Sequence, residues 1–251
     1  MPKINKKINF LMYILIFLLG FMVALSINQE KFQQDQKQQE ISNINDDEIL
    51  KGKANIVAVT QDQQGLLGNV KVEITEGNGK VLVNTNPFLE PDTQYSANIA
   101  AQVASNITDF DLSKKNIIYD FNITGNVLGG PSAGLAMTLA TIAAINKKEV
   151  KNIGMTGTIL PNGDIGLVGG VLEKGTVAAQ ENIKTFLVPR GQGIFTYYEK
   201  QIQKRTLNNG VTIVKTSYAP KTANLTEYFE KEYNVELIEV KNIQEAMGYA
   251  F

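Results

Sequence analysis

The chain of 251 residues carries 24 Lys and Arg against 25 Asp and Glu and is 43% hydrophobic, the make-up of one globular domain of about 200 residues plus an extension. Near-neutrality without a basic tract argues against nucleic acid as the main partner. The absence of Cys and His removes thiol nucleophiles, disulfides, iron–sulfur clusters, zinc sites of the usual kind and every histidine-based triad; carboxylate-bound Mg²⁺ or Ca²⁺ stays open.

Lys3, Lys6 and Lys7 precede an uncharged run from Ile8 to Gln29, close to the ~20 residues a helix needs to span a bilayer. The charges after it are mixed, so the positive-inside bias puts the N-terminus in the cytoplasm and the remainder outside. Residues 1–28 are expected to be a basic tip and transmembrane helix. Ala24-Leu25-Ser26 also offers a small-residue cleavage site, and a removed signal peptide would make the protein secreted. Residues 29–51, rich in Gln, Asn and Asp, read as a polar tether.

Globular sequence starts near Gly52. Ala54–Thr60 is strand-like, and Val70-Lys71-Val72-Glu73-Ile74 alternates with period two. The Asn78-Gly79 turn predicts a hairpin from that strand into Val81–Val83. Glu90-Pro91-Asp92 opens a helix whose apolar face is Ile99, Ala100, Val103, Ala104 and Ile107. Asn116–Asn122 is a strand running into Gly-Asn-Val-Leu-Gly-Gly-Pro-Ser-Ala-Gly, residues 125–134. The uncharged run Ala133–Ile145 is too long for a typical strand and predicts a buried helix, with Pro131 suited to its first turn. Ser132 therefore stands where a glycine loop becomes a helix, beside unpaired N–H groups and the positive end of a helix dipole, a setting that favours a developing oxyanion. Gly130–Gly134 also fits the G-x-S-x-G nucleophile elbow, whose usual base is a histidine this chain lacks.

Farther on, Ile153–Ile159 is expected to be a strand, Pro161–Asp164 a tight turn and Ile165–Val168 its return. Gly169-Gly170 introduces a helix to about Asn182, and Thr185–Val188 is a short strand. Tyr197–Leu207 reads as helical, Val211–Lys215 as extended, Leu225–Tyr233 as helical, Val235–Val240 as extended and Ile243–Tyr249 as a closing helix. Hairpins and helices without steady β-α-β alternation predict an α+β fold. The spacing of Val171, Lys174, Val177 and Ala178 puts Lys174 on an apolar helix stripe. Such a lysine can snorkel, stem on the core and ammonium in water, or lose its proton through desolvation and deprotonate a serine.

Gly130-Pro131-Ser132-Ala133-Gly134, Met155-Thr156-Gly157 and Gly169-Gly170-Val171-Leu172-Glu173-Lys174, in that order, strongly resemble the proteolytic domain of the Lon protease family over about residues 52–190. The resemblance implies that family's α+β fold of mixed sheets with packed helices for residues 52–251, and a Ser–Lys dyad formed by Ser132 and Lys174. It also implies a lysine contact for Thr156, with backbone N–H groups near Gly130 and Ser132 holding the oxyanion. Two departures stand out: glycines precede Pro131 where many Lon proteins have an acidic residue, and Leu172 replaces the family's first lysine of K-E-K. The C-terminal part, residues 191–235, is longer than the family's usual ending. No G-x-x-x-x-G-K-[ST] loop occurs. The sequence thus predicts a membrane-anchored, extracytoplasmic, ATP-independent serine endopeptidase acting on unfolded or flexible polypeptides. No cofactor is called for, and by family resemblance the assembly is a ring-like homo-oligomer. The alternative is a catalytically inactive binding or scaffold domain of the same fold.

Overall fold

A computed structural model describes residue 29 and residues 49–60, 62–84, 88–124, 127–207 and 210–251. The expected transmembrane helix (1–28) and nearly all of the tether lie outside the described residues. Among the described residues, no helix is long and apolar enough to cross a membrane. Ile49–Phe251 forms one compact unit, a mixture of helices and sheets consistent with the expected α+β class.

The first sheet is built from β1 (Leu50–Val59), β2 (Gly65–Glu76), β3 (Val81–Val83) and β5 (Lys115–Asn122), in the order β1-β2-β5-β3. Val70, Val72 and Ile74 of β2 turn inward in strict alternation, as a half-buried strand requires. The hairpin expected at Asn78-Gly79 does not form. The turn exists, with Gly79 at φ +81°, but β5 enters between the two strands, antiparallel to β2 and parallel to β3. Asn116 accounts for this: its side-chain oxygen accepts from the N–H groups of Asn78 and Lys80, so the turn is tied to β5 instead of closing on itself.

Helix α1 (Pro91–Thr108) and helix α2 (Gly134–Asn146) pack against this sheet. Every residue of α2 from Gly134 to Ala144 is buried. The helix has no polar face, and its threonines satisfy their hydroxyls internally: Thr138 donates to the Gly134 carbonyl and Thr141 to that of Met137. Truncating Leu135, Leu139 or Ile142, each fully enclosed, should cost about 2–5 kcal/mol. Gly52 of β1 faces this helix so closely that a Cβ there would collide with the Ala140 carbonyl oxygen.

A second core lies around a three-stranded parallel sheet, order β13-β10-β7, of β7 (Gly154–Met155), β10 (Thr185–Pro189) and β13 (Glu236–Val240). Helices α3 (Val171–Gln180) and α4 (Leu225–Tyr233) supply its other side, with Phe186, Phe229 and Ala178 wholly buried. The closing helix α5 is Ile243–Ala250. The single strand expected at Ile153–Ile159 is two: β7 joins the parallel sheet, while β8 (Thr158–Ile159) pairs with β9 (Ile165–Gly166) across the predicted turn. Between them, the Thr156 N–H still donates to Leu187 of β10, while the Gly157 N–H turns away to the Ser132 carbonyl. Two-residue strands β4 (Phe88–Leu89) and β6 (Val127–Leu128) pair beside the glycine loop.

The helix expected over Tyr197–Leu207 is also corrected. Residues Ile194–Thr206 form β11 and Thr212–Asn224 form β12, an antiparallel ribbon thirteen residues long on each side. Here the β-favouring Thr196-Tyr197-Tyr198 and Ile202, with Thr222 and Thr216 as cross-strand partners of Thr196 and Ile202, prevail over the helix-favouring Glu, Lys and Gln.

Candidate active site

Ser132 occupies a 3₁₀ turn, Pro131–Ala133, that runs directly into α2. The turn is entered through Gly130 at φ +85°, ψ 150°, a backbone region essentially reserved for glycine. Helix α1 fixes this entrance from below. Thr93 Oγ1 donates to the Gly130 carbonyl at 3.1 Å, Ser96 Oγ to that of Pro131 at 3.2 Å, and the Gly130 N–H donates to Asp92 Oδ1 at 3.3 Å. Leaving the turn, the Ser132 carbonyl accepts from the Gly157 N–H at 2.9 Å, and the Gly157 carbonyl accepts from Leu135 at 3.0 Å. The residue that carries the hydroxyl is thereby stitched to the crossover between β7 and β8.

Lys174 enters from the other core. Gly170 takes the left-handed conformation at φ +68° and the Gly170 carbonyl accepts from the Lys174 N–H, opening α3. The side chain is only 4% exposed. The snorkelling option left by the sequence does not occur: Nζ donates to Thr156 Oγ1 at 3.1 Å, and Thr156 is itself 1% exposed. Burial lowers the amine's pKa to about 8, a shift partly opposed by the neighbouring Glu173 carboxylate. Near neutral pH an appreciable fraction of this amine is unprotonated and able to accept a proton.

Ser132 and Lys174 line one cleft of about 740 Å³, together with Gly129, Gly130, the end of β1 from Val57 with the following Thr60, and the loop Leu167–Gly170. Thr156 stands behind the cleft wall, in contact with the lysine. Of the residues singled out in the sequence, the structure brings Ser132, Lys174 and Gly130 to one cavity and Thr156 to the lysine. Sequence reasoning missed the far wall, made by Gly191, Gln192, Ile194 and Phe195. Gln192 clamps it: its side-chain amide donates to the Val168 carbonyl at 2.6 Å and accepts from the Val168 N–H at 3.0 Å. No periodic signal marks a glutamine with such a role. Among the described residues no cluster of acidic side chains is arranged to hold a metal ion.

A serine hydroxyl at the head of a buried helix, facing a cleft shared with an enclosed amine of lowered pKa, supplies the parts of nucleophilic acyl transfer without histidine. The description of the Lon protease (S16) C-terminal proteolytic domain matches residues 27–196. The chain belongs to that family. It is 34% identical to the Lon protease of Metamycoplasma arthritidis over 146 residues, 55% of this chain and 17% of that protein. It is 35% identical to the Lon protease of Clostridioides difficile over 132 residues, 50% of this chain and 17% of that protein. Lon protease 2 of Bacillus subtilis is 29% identical over 151 residues, 55% of this chain and 27% of that protein. The matched part is thus between a sixth and somewhat over a quarter of these relatives' lengths.

Proposed function

We propose that the protein is a serine endopeptidase that hydrolyses peptide bonds in unfolded or flexible polypeptides through a Ser132–Lys174 dyad. The observation that carries the reading is the buried Lys174 amine, held by Thr156 and of lowered pKa, in the same cleft as the serine of the turn that leads into α2. Neutral Nζ takes the Ser132 proton as Oγ bonds to the scissile carbonyl carbon. The resulting oxyanion is held by backbone N–H groups, that of Ser132 and, once it leaves Asp92, that of Gly130; Pro131 has none to give. Collapse breaks the C–N bond, and the Lys174 ammonium returns the proton to the departing amine. Water then attacks the acyl ester and gives its proton to Lys174, which returns it to Ser132 Oγ as the ester C–O bond breaks, releasing the new carboxylic acid and restoring the serine hydroxyl and the neutral amine.

In this reading cleavage of an unfolded chain proceeds without nucleotide, and the 251 residues themselves hold no G-x-x-x-x-G-K-[ST] phosphate loop. The proposed topology keeps the apolar segment as an anchor, with residues 49–251 outside the cytoplasm. Protease added to intact spheroplasts should digest the domain, and complete protection would reverse that topology.

The deciding experiment is labelling by a serine-directed or boronate inhibitor together with casein hydrolysis, in wild type, Ser132→Ala and Lys174→Arg. Arginine keeps the charge but cannot give up its proton. Both variants should be inactive though folded, and the double variant should lose little more. Appreciable hydrolysis by folded Lys174→Arg would remove the lysine from the mechanism. Absence of labelling in active conditions would favour a binding domain instead.

A further inference from the structure

The ribbon β11–β12 lies almost wholly beyond the family match, which ends at residue 196. At ~3.4 Å per residue it extends about 40 Å. Among the described residues no other strand pairs with it, whereas two-stranded ribbons of this kind are marginally stable in water. Its register puts Ile194, Tyr198, Ile202, Val214, Tyr218 and Pro220 on one face. They are uncovered, Tyr198 to 69% and Tyr218 to 63%. Lys200 and Lys204 punctuate the same face, which holds no acidic residue. Over residues 194–224 the sequence has five cations (Lys200, Lys204, Arg205, Lys215, Lys221) and one anion, Glu199. The ribbon is therefore +4 within a chain of net −1, and the remainder is −5. At its root, Ile194 and Phe195 form part of the cleft wall beside Ser132 and Lys174.

We propose that this ribbon is a docking strip for unfolded, acidic polypeptide segments with interspersed apolar side chains, which it leads into the cleft. The proposal rests on the peptidase reading above and supplies its substrate class. Each strand of a two-stranded ribbon keeps one edge of unpaired backbone groups, to which an extended chain can add as a further strand. The tyrosines and isoleucines receive alternate apolar side chains of that chain. The lysines attract its carboxylates, and they disfavour edge-to-edge pairing with a second, equally basic ribbon. An acidic chain is otherwise repelled by the rest of Ile49–Phe251, whose 14 cations against 18 anions leave a net charge of −4, so the ribbon is the approach that charge complementarity leaves open.

The test uses the full chain in detergent micelles and two double variants of exposed residues, Lys200→Glu/Lys204→Glu and Tyr198→Ser/Tyr218→Ser. In a Ser132→Ala background, the Kd for fluorescent casein, an acidic unfolded polypeptide, should rise at least tenfold in each variant, with unchanged Tm. With Ser132 intact, KM for casein should rise similarly while hydrolysis of a short fluorogenic peptide stays the same. If neither substrate is cut by any form, the peptidase reading fails, and the binding arm still decides the ribbon's role. Unchanged Kd and KM in both variants would overturn the proposal. Retained casein affinity with lost binding to phosphatidylglycerol vesicles would make the ribbon a membrane contact, and weaker casein binding accompanied by a change in sedimentation would make it a contact between copies; either result rejects the docking strip.

Discussion

The Thr156 hydroxyl joins Lys174 to the backbone of Ser132: it accepts from the lysine Nζ at 3.1 Å and donates to the Ser132 carbonyl at 3.4 Å. Replacing Thr156 by Val keeps the shape and deletes both bonds. A hydrogen bond to an ionisable amine is worth about 1.5–3 kcal/mol, so kcat should fall about 10- to 100-fold. The bond also favours the ammonium form, and its loss should move the acid limb of the pH profile to lower pH. A Thr156→Val enzyme with wild-type kcat would show that the hydroxyl only fills space.

Under the proposed dyad, the Lys174 amine sets how activity and stability vary with pH. With its pKa brought by burial from 10.5 to about 8, kcat/KM should climb with pH and reach half its plateau near 8. Stability follows from which state protonates first. As pH falls from 10.5 toward 8 the unfolded chain takes up a proton that the native state refuses, so native stability declines over that window and the deficit is constant below it. The full cost is up to about 3 kcal/mol. Folded but inactive Lys174→Met should therefore exceed wild type in urea midpoint at pH 7, and the difference should shrink toward pH 10.5. A difference independent of pH would mean that the amine is not desolvated.

Gly130→Ala separates geometry from bulk. A Cβ at that position meets nothing within 4 Å, yet the backbone holds φ +85°. The penalty is strain alone, about 1–3 kcal/mol. Relaxing it would turn the peptide that leads into Ser132, so activity should fall far more than Tm does. Equal, modest losses in both, measured by peptide hydrolysis and thermal unfolding, would show that the loop conformation does not matter to catalysis.

Gly52→Ala tests the packing of the first core. The new methyl would press on the Ala140 carbonyl of α2 and, at greater distance, on the Ala144 N–H. Overpacking against a backbone that cannot yield costs about 1–3 kcal/mol or more. Urea unfolding should register that loss, while the same change at Gly169, where a Cβ meets nothing within 4 Å, should be nearly neutral.

What the sequence revealed was mostly local. Pro91, the uncharged run of α2 and the Gly169-Gly170 pair place helices α1, α2 and α3 because propensity, punctuation and burial agree there. The places of Ser132 before α2 and of Lys174 on the apolar stripe of α3 were legible for the same reason, whereas their pairing as a dyad came from the family resemblance. Strand partnership was not. Nothing near Asn78-Gly79 indicates that residues 115–122 will enter between β2 and β3, because that choice is made by Asn116, nearly forty positions away. The ribbon was misread since its Glu, Lys and Gln suit a helix, and its strands are fixed by cross-strand pairing instead of by burial. The clamp made by Gln192 depends on where Val168 arrives in space, which no spacing encodes.

The insertion of β5 also orders events in time. Strand β3 ends at Val83, whereas β5, its one sheet neighbour among the described residues, is complete at Asn122. At about 5–20 residues per second a growing chain would hold Val81–Val83 unpaired for some 2–8 s, until β5 emerges. Helix α1 is made in that interval and can form from local contacts. The sheet cannot close before the chain has folded back past α1, so a nascent chain stalled near residue 110 should display a helix and an open β1–β2 pair. Such an intermediate leaves the inward side of β2 uncovered and is the stage at which this protein most needs a chaperone.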